Sequence, residues 1–312
     1  MLHVLGIDAG GSKTVCLLAD EHGRVLAEAR GSGANLQASG ELEVEKVLHG
    51  VMAETLGERD IRPDAICLGI AGVDRPSDAA GVRAIMRRIA STSRTLVVND
   101  ALIALVAGAG EEPGVVIVAG TGSIAYGRDA AGRAARAGGW GYLLGDEGGG
   151  FWIGRAALSA VVRQFDGRGP STLLTQMVLD QMQLSTPTDV IHAVYDHGLP
   201  RRSIAGIASV VQRAYDAGDA IASEILDRAA AELTSAAASV ITRLNMRGEE
   251  LRIVLSGGIF VGIPALVPNV GERLPEVAPR CRVSRLDVDP AMGAVRLALA
   301  AARGSVVVPV YV

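Results

Sequence analysis

At 312 residues the chain is long for one core and favours two domains. An apolar share of 49% permits a large interior, and a net charge of -4 without a basic stripe gives no support to nucleic acid or an anionic membrane as partner. No apolar run approaches the roughly 20 residues of a bilayer span. The start, Met1-Leu2-His3-Val4-Leu5, lacks the basic, apolar and small-residue regions of a secretory signal, so a cytoplasmic chain is expected. Cys16, Cys67 and Cys281 are odd in number and far apart, which argues against a disulfide framework. His192 and His197, five apart, are not accompanied by a cysteine pair and do not form a metal-ligand pattern.

In chain order, His3 to Asp8 reads as a strand, glycines interrupt it, and Thr14 to Ala19 resumes it. Asp20-Glu21-His22-Gly23 is a turn before a third strand, Arg24 to Ala29. A helix is predicted over 41–57, a buried strand over Ala65 to Ala71, a helix over 78–90, a buried strand over Thr95 to Val98 and a helix over 101–108. After Glu111-Glu112-Pro113-Gly114 the order begins again: strand Val115 to Ala119, turn Gly120-Thr121-Gly122-Ser123, strand Ile124 to Arg128, turn Asp129-Ala130-Ala131-Gly132, strand Arg133 to Ala137. This internal repeat suggests a duplicated α/β domain, the second copy enlarged by a helical stretch over 151–248. Strand Leu251 to Leu255, the turn Ser256-Gly257-Gly258 and a helix over 290–303 follow. The expected domains are 1–110 and 111–303, with the β-prone tail 304–312 free to return to the first.

Glycine turns let backbone amides approach phosphate oxygens, although any one of them can also be a plain hairpin. In Asp8-Ala9-Gly10-Gly11-Ser12-Lys13-Thr14, Ser12 separates Gly11 from Lys13, and a strand follows rather than a helix. A P-loop is therefore disfavoured. Gly120-Thr121-Gly122 likewise runs into a strand, which disfavours a dinucleotide fingerprint. A phosphate-binding hairpin remains, with Asp8 at the end of its first strand. An acid beside a polyphosphate needs an intervening cation, and Mg²⁺ with retained waters suits one carboxylate plus phosphates. Ser12, Lys13 and Thr14 would supply hydroxyl, ammonium and amide donors. Lys13 and Lys46 are the only lysines among 30 basic residues.

Asn99-Asp100 closes a buried strand. Asp100 could be the base that accepts a hydroxyl proton in phosphoryl transfer, or the cap of the helix beginning at Ala101. The block Gly138-Gly139-Trp140-Gly141-Tyr142-Leu143-Leu144-Gly145-Asp146-Glu147-Gly148-Gly149-Gly150 is too glycine-rich for a regular element. An aromatic plate beside acids suits a sugar; the alternative is a loop that Trp140 anchors to the core.

Together these motifs resemble the sugar kinase/actin/heat-shock ATPase superfamily, and within it the N-acetylglucosamine kinase branch of the BadF/BadG/BcrA/BcrD-type ATPase family. The residues that carry the likeness are Gly6 to Thr14, Gly33-Ala34-Asn35, Val98 to Ala101, Gly120 to Ser123, Gly139 to Gly141 through Gly145 to Gly148, and Ser256 to Gly258. The resemblance implies two ribonuclease H-like (actin-like ATPase) domains of duplicated topology flanking an ATP cleft. It implies Asp8 on Mg²⁺ through water, with Gly10, Gly11, Ser12, Lys13, Thr14, Thr121, Gly122 and Ser123 around the phosphates. Gly257 and Gly258 would lie near the ribose, α-phosphate or adenine, and Asp100 would be the general base. Asn35, Asn99, Thr121, Gly122, Gly139, Trp140 and Asp146 would line a sugar pocket. The implied reaction is transfer from ATP to an amino sugar, most directly N-acetylglucosamine, giving the 6-phosphate. Glucosamine, N-acetylmuramate and glucose are the alternatives, and a homodimer is implied by family habit. The competing reading is a regulatory ATPase that activates a partner enzyme. None of the three cysteines lies in a loop motif of the iron–sulfur activators.

Overall fold

Apolar, β-branched segments separated by tight turns open the chain as three strands: β1 (His3–Ala9), β2 (Lys13–Asp20) and β3 (Val25–Ser32). The computed structural model describes residues 2–34, 40–73, 76–89, 94–196 and 198–312. Helix α1 (Glu41–Leu56), β4 (Ala65–Ile70), α2 (Pro76–Ile89), β5 (Thr95–Asn99) and α3 (Asp100–Ala109) complete the first unit. Its sheet has the order β3-β2-β1-β4-β5, with β1 antiparallel to β2 and parallel to β4. Every residue of β4 is buried, as expected of a parallel strand covered on both faces.

The second sheet repeats this plan. Strands β6 (Gly114–Ala119), β7 (Ser123–Arg128), β8 (Arg133–Gly138), β9 (Leu251–Ser256) and β10 (Cys281–Arg285) give the order β10-β9-β6-β7-β8, with β6 antiparallel to β7 and parallel to β9. The repeat extends to side-chain chemistry. At the first hairpin, Asp20 Oδ1 accepts from the amides of His22 and Arg24 (both 2.9 Å), and at the second, Asp129 Oδ1 accepts from Ala131 (3.0 Å) and Arg133 (2.8 Å). In both, the arginine Nε also donates to the same carboxylate. These are Asx turns, in which the aspartate replaces the backbone as acceptor.

Between β8 and β9 lie α4 (Gly150–Phe165), α5 (Leu174–Met182), α6 (Arg201–Gly206), α7 (Ala208–Asp216) and α8 (Ala220–Arg243), which share one apolar core with the second sheet. Helices α9 (Gly258–Gly262) and α10 (Leu266–Val277) follow β9, and α11 (Ala291–Ala302) follows β10. The tail does not return to the first sheet. Its strand β11 (Val310–Tyr311) pairs in parallel with β8, Val310 opposite Arg133 and Tyr311 opposite Ala134.

Two helices join the halves. Helix α11 packs against α3, β1, β2 and β4, although it follows the second sheet, and α3 packs on β6, β7 and β9, although it follows the first. Ile103, Leu105, Val116, Val254, Ala294 and Val295 therefore belong to one core that spans both units. The crossing is close: a Cβ on Gly293 would lie 1.9 Å from the Ile103 carbonyl oxygen. Arg296 of α11 donates to the Val106 and Ala107 carbonyls at the C-terminal end of α3 (2.8 and 3.1 Å). A guanidinium there also complements the negative end of the helix dipole.

Candidate active site

The β1–β2 and β6–β7 turns face each other, with Ser12 Oγ 3.5 Å from Thr121 Oγ1. The registers place the turns at matching ends of their hairpins, although the second is one residue shorter: Ala9 pairs with Thr14 around residues 10–13, and Ala119 pairs with Ser123 around residues 120–122. Each turn is closed by its first glycine, Gly10 N donating to Lys13 O three residues on (3.0 Å) and Gly120 N to Gly122 O two residues on (2.9 Å). The duplication stops at the acid. One residue before Ala9 stands Asp8, and one before Ala119 stands Val118. Only the first turn therefore brings its own strand-borne carboxylate to the cleft.

Asp8 is nearly inaccessible because β1 is the central strand of its sheet. Burial, reinforced by the charges of Asp100 and Asp289 and opposed by Lys13, pushes its carboxyl up to about 7. Among the described residues no three acidic, histidine or cysteine side chains form a coordination cluster. The buried Asp8 carboxylate near the end of β1 fits a divalent ion held through one or two carboxylates, water and phosphate.

Asn99, not Asp100, caps α3: Asn99 Oδ1 accepts from Ala101 N at 2.8 Å. Asp100 is thus the first helical residue and carries its charge at the positive end of α3. The Thr14 hydroxyl is engaged within the sheet. The residue is fully buried, and its Oγ1 donates to Ser32 O (2.8 Å), tying β2 to β3 rather than facing the cleft. Ala34 N donates to Gly10 O (3.0 Å), so the segment before Asn35 packs on the first turn. Asn35 itself lies outside the described residues, as does His197.

The glycine-rich block 139–149 folds against the second turn. Ser123 Oγ donates to Glu147 O (2.6 Å), and Gly139 N to Ser123 O (2.9 Å). Asp146 adopts a left-handed φ of 59°, which aspartate tolerates better than most residues, and its Oδ1 accepts from Gly141 N (3.1 Å). Its Oδ2 lies 2.2 Å from where a Cβ on Gly122 would stand, so a side chain at position 122 would displace the Asp146 carboxylate. Desolvation raises the Asp146 carboxyl. Trp140 does not anchor this loop: it is 58% exposed, with the Arg136 guanidinium 4.8 Å above its ring. Tyr142 does so instead, edge-on to Phe151 of α4 (5.0 Å) and beneath Arg201. Gly257 sits at φ 106° beside Ala119, bringing the 257–258 turn next to Gly120.

One group was not legible as a site residue. Asp289, before α11, has Lys13 Nζ at 3.6 Å and Arg30 Nη2 at 3.9 Å from its Oδ2. Its signal in sequence is an Asp-Pro pair opening a helix, which any helix start can carry.

The fold and facing turns define an actin-like, two-unit ATPase architecture. A glucokinase of the ROK family from Streptomyces griseus, solved with glucose and AMPPNP, shares that fold at a TM-score of 0.60 and 17% identity, over 96% of this chain and 98% of that one. A candidate N-acetylglucosamine kinase from Chromobacterium violaceum superposes at a TM-score of 0.79 with 25% identity, covering 96% and 99% of the two chains. The chain belongs to the BadF/BadG/BcrA/BcrD ATPase family, whose model matches residues 5–298. It is 36% identical to the N-acetylmuramic acid/N-acetylglucosamine kinase of Clostridium acetobutylicum, covering 96% of this chain and 98% of the relative. It is 34% identical to the N-acetyl-D-glucosamine kinase of Dictyostelium discoideum, covering 95% and 97%.

Proposed function

We propose that the chain is an ATP-dependent amino-sugar kinase that converts N-acetylglucosamine to its 6-phosphate. The observation that carries this reading is the pair of facing glycine turns, Ser12 against Thr121, with the buried Asp8 within electrostatic reach of Asp100 and Lys13 beside them. Two full-length relatives named as N-acetylhexosamine kinases support the acceptor class.

In this reading Gly10, Gly11, Ser12, Lys13 and the amide of Thr14 hold the β- and γ-phosphates from one side, and Thr121, Gly122 and Ser123 from the other. Gly257 and Gly258 take the ribose and α-phosphate end. Asp8 would hold Mg²⁺, which when bound would supply neutralisation of the phosphate charge. Asn35, Gly139, Trp140 and Asp146 receive the sugar, with Trp140 packing on its C–H face and Asp146 accepting from hydroxyls. Asn99 acts by capping α3 and so fixing Asp100. The sugar oxygen bonds to the γ-phosphorus as the bond to the β-bridging oxygen breaks, and the hydroxyl proton passes to Asp100. ADP and the sugar phosphate leave. Use of ATP as donor suits a cytoplasmic enzyme.

The test is ADP release from MgATP in the presence of N-acetylglucosamine, N-acetylmuramate, glucosamine and glucose. N-acetylglucosamine should accelerate it well above the basal rate. If no sugar does, the kinase reading fails and a regulatory ATPase takes its place. With sugar present, Asp100→Asn should lower kcat by about 10²–10⁴-fold while leaving nucleotide binding intact.

A further inference from the structure

We propose that Asp289 is a positioning residue for the phosphate turn, acting from the start of α11 to fix the Lys13 ammonium where the triphosphate binds. The inference rests on the nucleotide reading of that turn.

Asp289 is built as a fixed post. Its Oδ1 accepts from Ala291 N (3.0 Å), which locks the carboxylate to the first turn of α11 and leaves Oδ2 for the cations. Lys13 Nζ lies 3.6 Å from Oδ2, and Arg30 Nη2 3.9 Å. The Lys13 side chain is 57% exposed and that of Asp289 22%, so this is a pair at the cleft surface. Such a pair adds little to folding stability, because water screens it and two side chains must be ordered. Its effect falls on Lys13 itself. Lysine is a point charge on a flexible stem, and each bound phosphate oxygen must first immobilise it. A carboxylate that already holds the ammonium removes part of that cost before nucleotide arrives.

An acid beside a triphosphate would ordinarily repel it. Here Arg30 provides a second cation, so Asp289 keeps a partner when Lys13 leans toward phosphate. Arg30 is held in turn by Glu28, whose Oε1 is 2.5 Å from its Nε. The placement also ties the turn to the crossing of the two halves. Helix α11 abuts α3 at Gly293 and Ile103, and α3 begins with Asp100. Lys13 is thereby referenced to the same helix pair that carries the proposed base.

The test is a double-mutant cycle on binding of a non-hydrolysable MgATP analogue, measured by calorimetry. Asp289→Asn removes the charge but keeps the capping oxygen for Ala291, so the thermal midpoint should hold. If it falls, Asp289→Ser, also a capping residue, is used instead. Asp289→Asn should weaken binding by about 3–10-fold in the parent and by less than about 2-fold in Lys13→Met. KM for ATP should rise while kcat stays within about 3-fold, which a general loss of structure would not produce. An equal change in both backgrounds, no change in either, or tighter binding overturns the proposal. Failure of the unmodified protein to bind the analogue overturns the nucleotide reading itself, and the parent titration separates that result from a zero coupling.

Discussion

Replacing Gly293 by alanine sets two physical effects against each other. Gly293 lies inside α11, where helix propensity favours alanine by about 1 kcal/mol. The added Cβ, however, would stand 1.9 Å from Ile103 O and 2.8 Å from Ala107 N, both backbone atoms of α3 that no rotamer change can move. Ordinary contact begins near 3.4 Å, so the helices must separate by about 1.5 Å at this point. Overpacking of this kind costs about 1–3 kcal/mol, and a backbone obstacle puts it at the upper end. The net loss should be about 1–2 kcal/mol, a drop of several degrees at about 2–4 °C per kcal/mol. Gly50 in α1 is the control: it is exposed, with nothing within 4 Å of the new Cβ, so Gly50→Ala should raise the midpoint slightly. Thermal melts of the two variants should move in opposite directions. Kinase turnover should fall in Gly293→Ala alone, because α3 and α11 present Asp100 and Asp289. A Gly293→Ala protein as stable as its parent would refute the close crossing and the account of how the halves are joined.

Three further outcomes follow from the site. Asp8 has a carboxyl pushed from the usual 3.8 up to about 7, so the unfolded chain ionises first as pH rises. The nucleotide-free protein should lose stability from about pH 4 to about pH 7, with the full deficit above that. The midpoint advantage of Asp8→Asn over the parent should therefore grow from about pH 4 to about pH 7 and level off above it, and a constant difference would contradict the burial. Thr14→Val should cost about 1 kcal/mol, since Ser32 O loses its donor, yet leave MgATP affinity within about 2-fold. A large loss of affinity would return the Thr14 hydroxyl to the phosphates. Trp140→Ala should change stability by no more than about 0.5 kcal/mol, because the ring is exposed, while raising KM for the sugar and not for ATP. A melt several degrees lower would mean that the ring anchors the loop after all.

The α/β alternation and the repeated strand–turn–strand order were legible because they rest on local signals. Apolar runs such as Ala65–Ile70 and glycine turns such as Gly10-Gly11 declare themselves within a few residues. Elements with mixed signals were not found. Strand β10 (Cys281–Arg285) is an edge strand whose alternate residues are charged or polar, and α10 contains Pro268 and Pro275 in its helical pattern. Local chemistry also allowed Asp100 as the cap of α3, and only the hydrogen bond from Ala101 N assigned that role to Asn99. Tertiary structure alone decided three things. It turned the Thr14 hydroxyl away from the cleft, and it replaced Trp140 with Tyr142 as the loop's anchor. It also brought Asp289, 276 residues after Lys13 in sequence, to 3.6 Å from the ammonium. The reason is common to all three. A residue's type and immediate neighbours set which bonds it can make, but its actual partner is set by which elements the fold packs together: β2 on β3, the 139–149 loop on α4, and the β1–β2 turn on the start of α11.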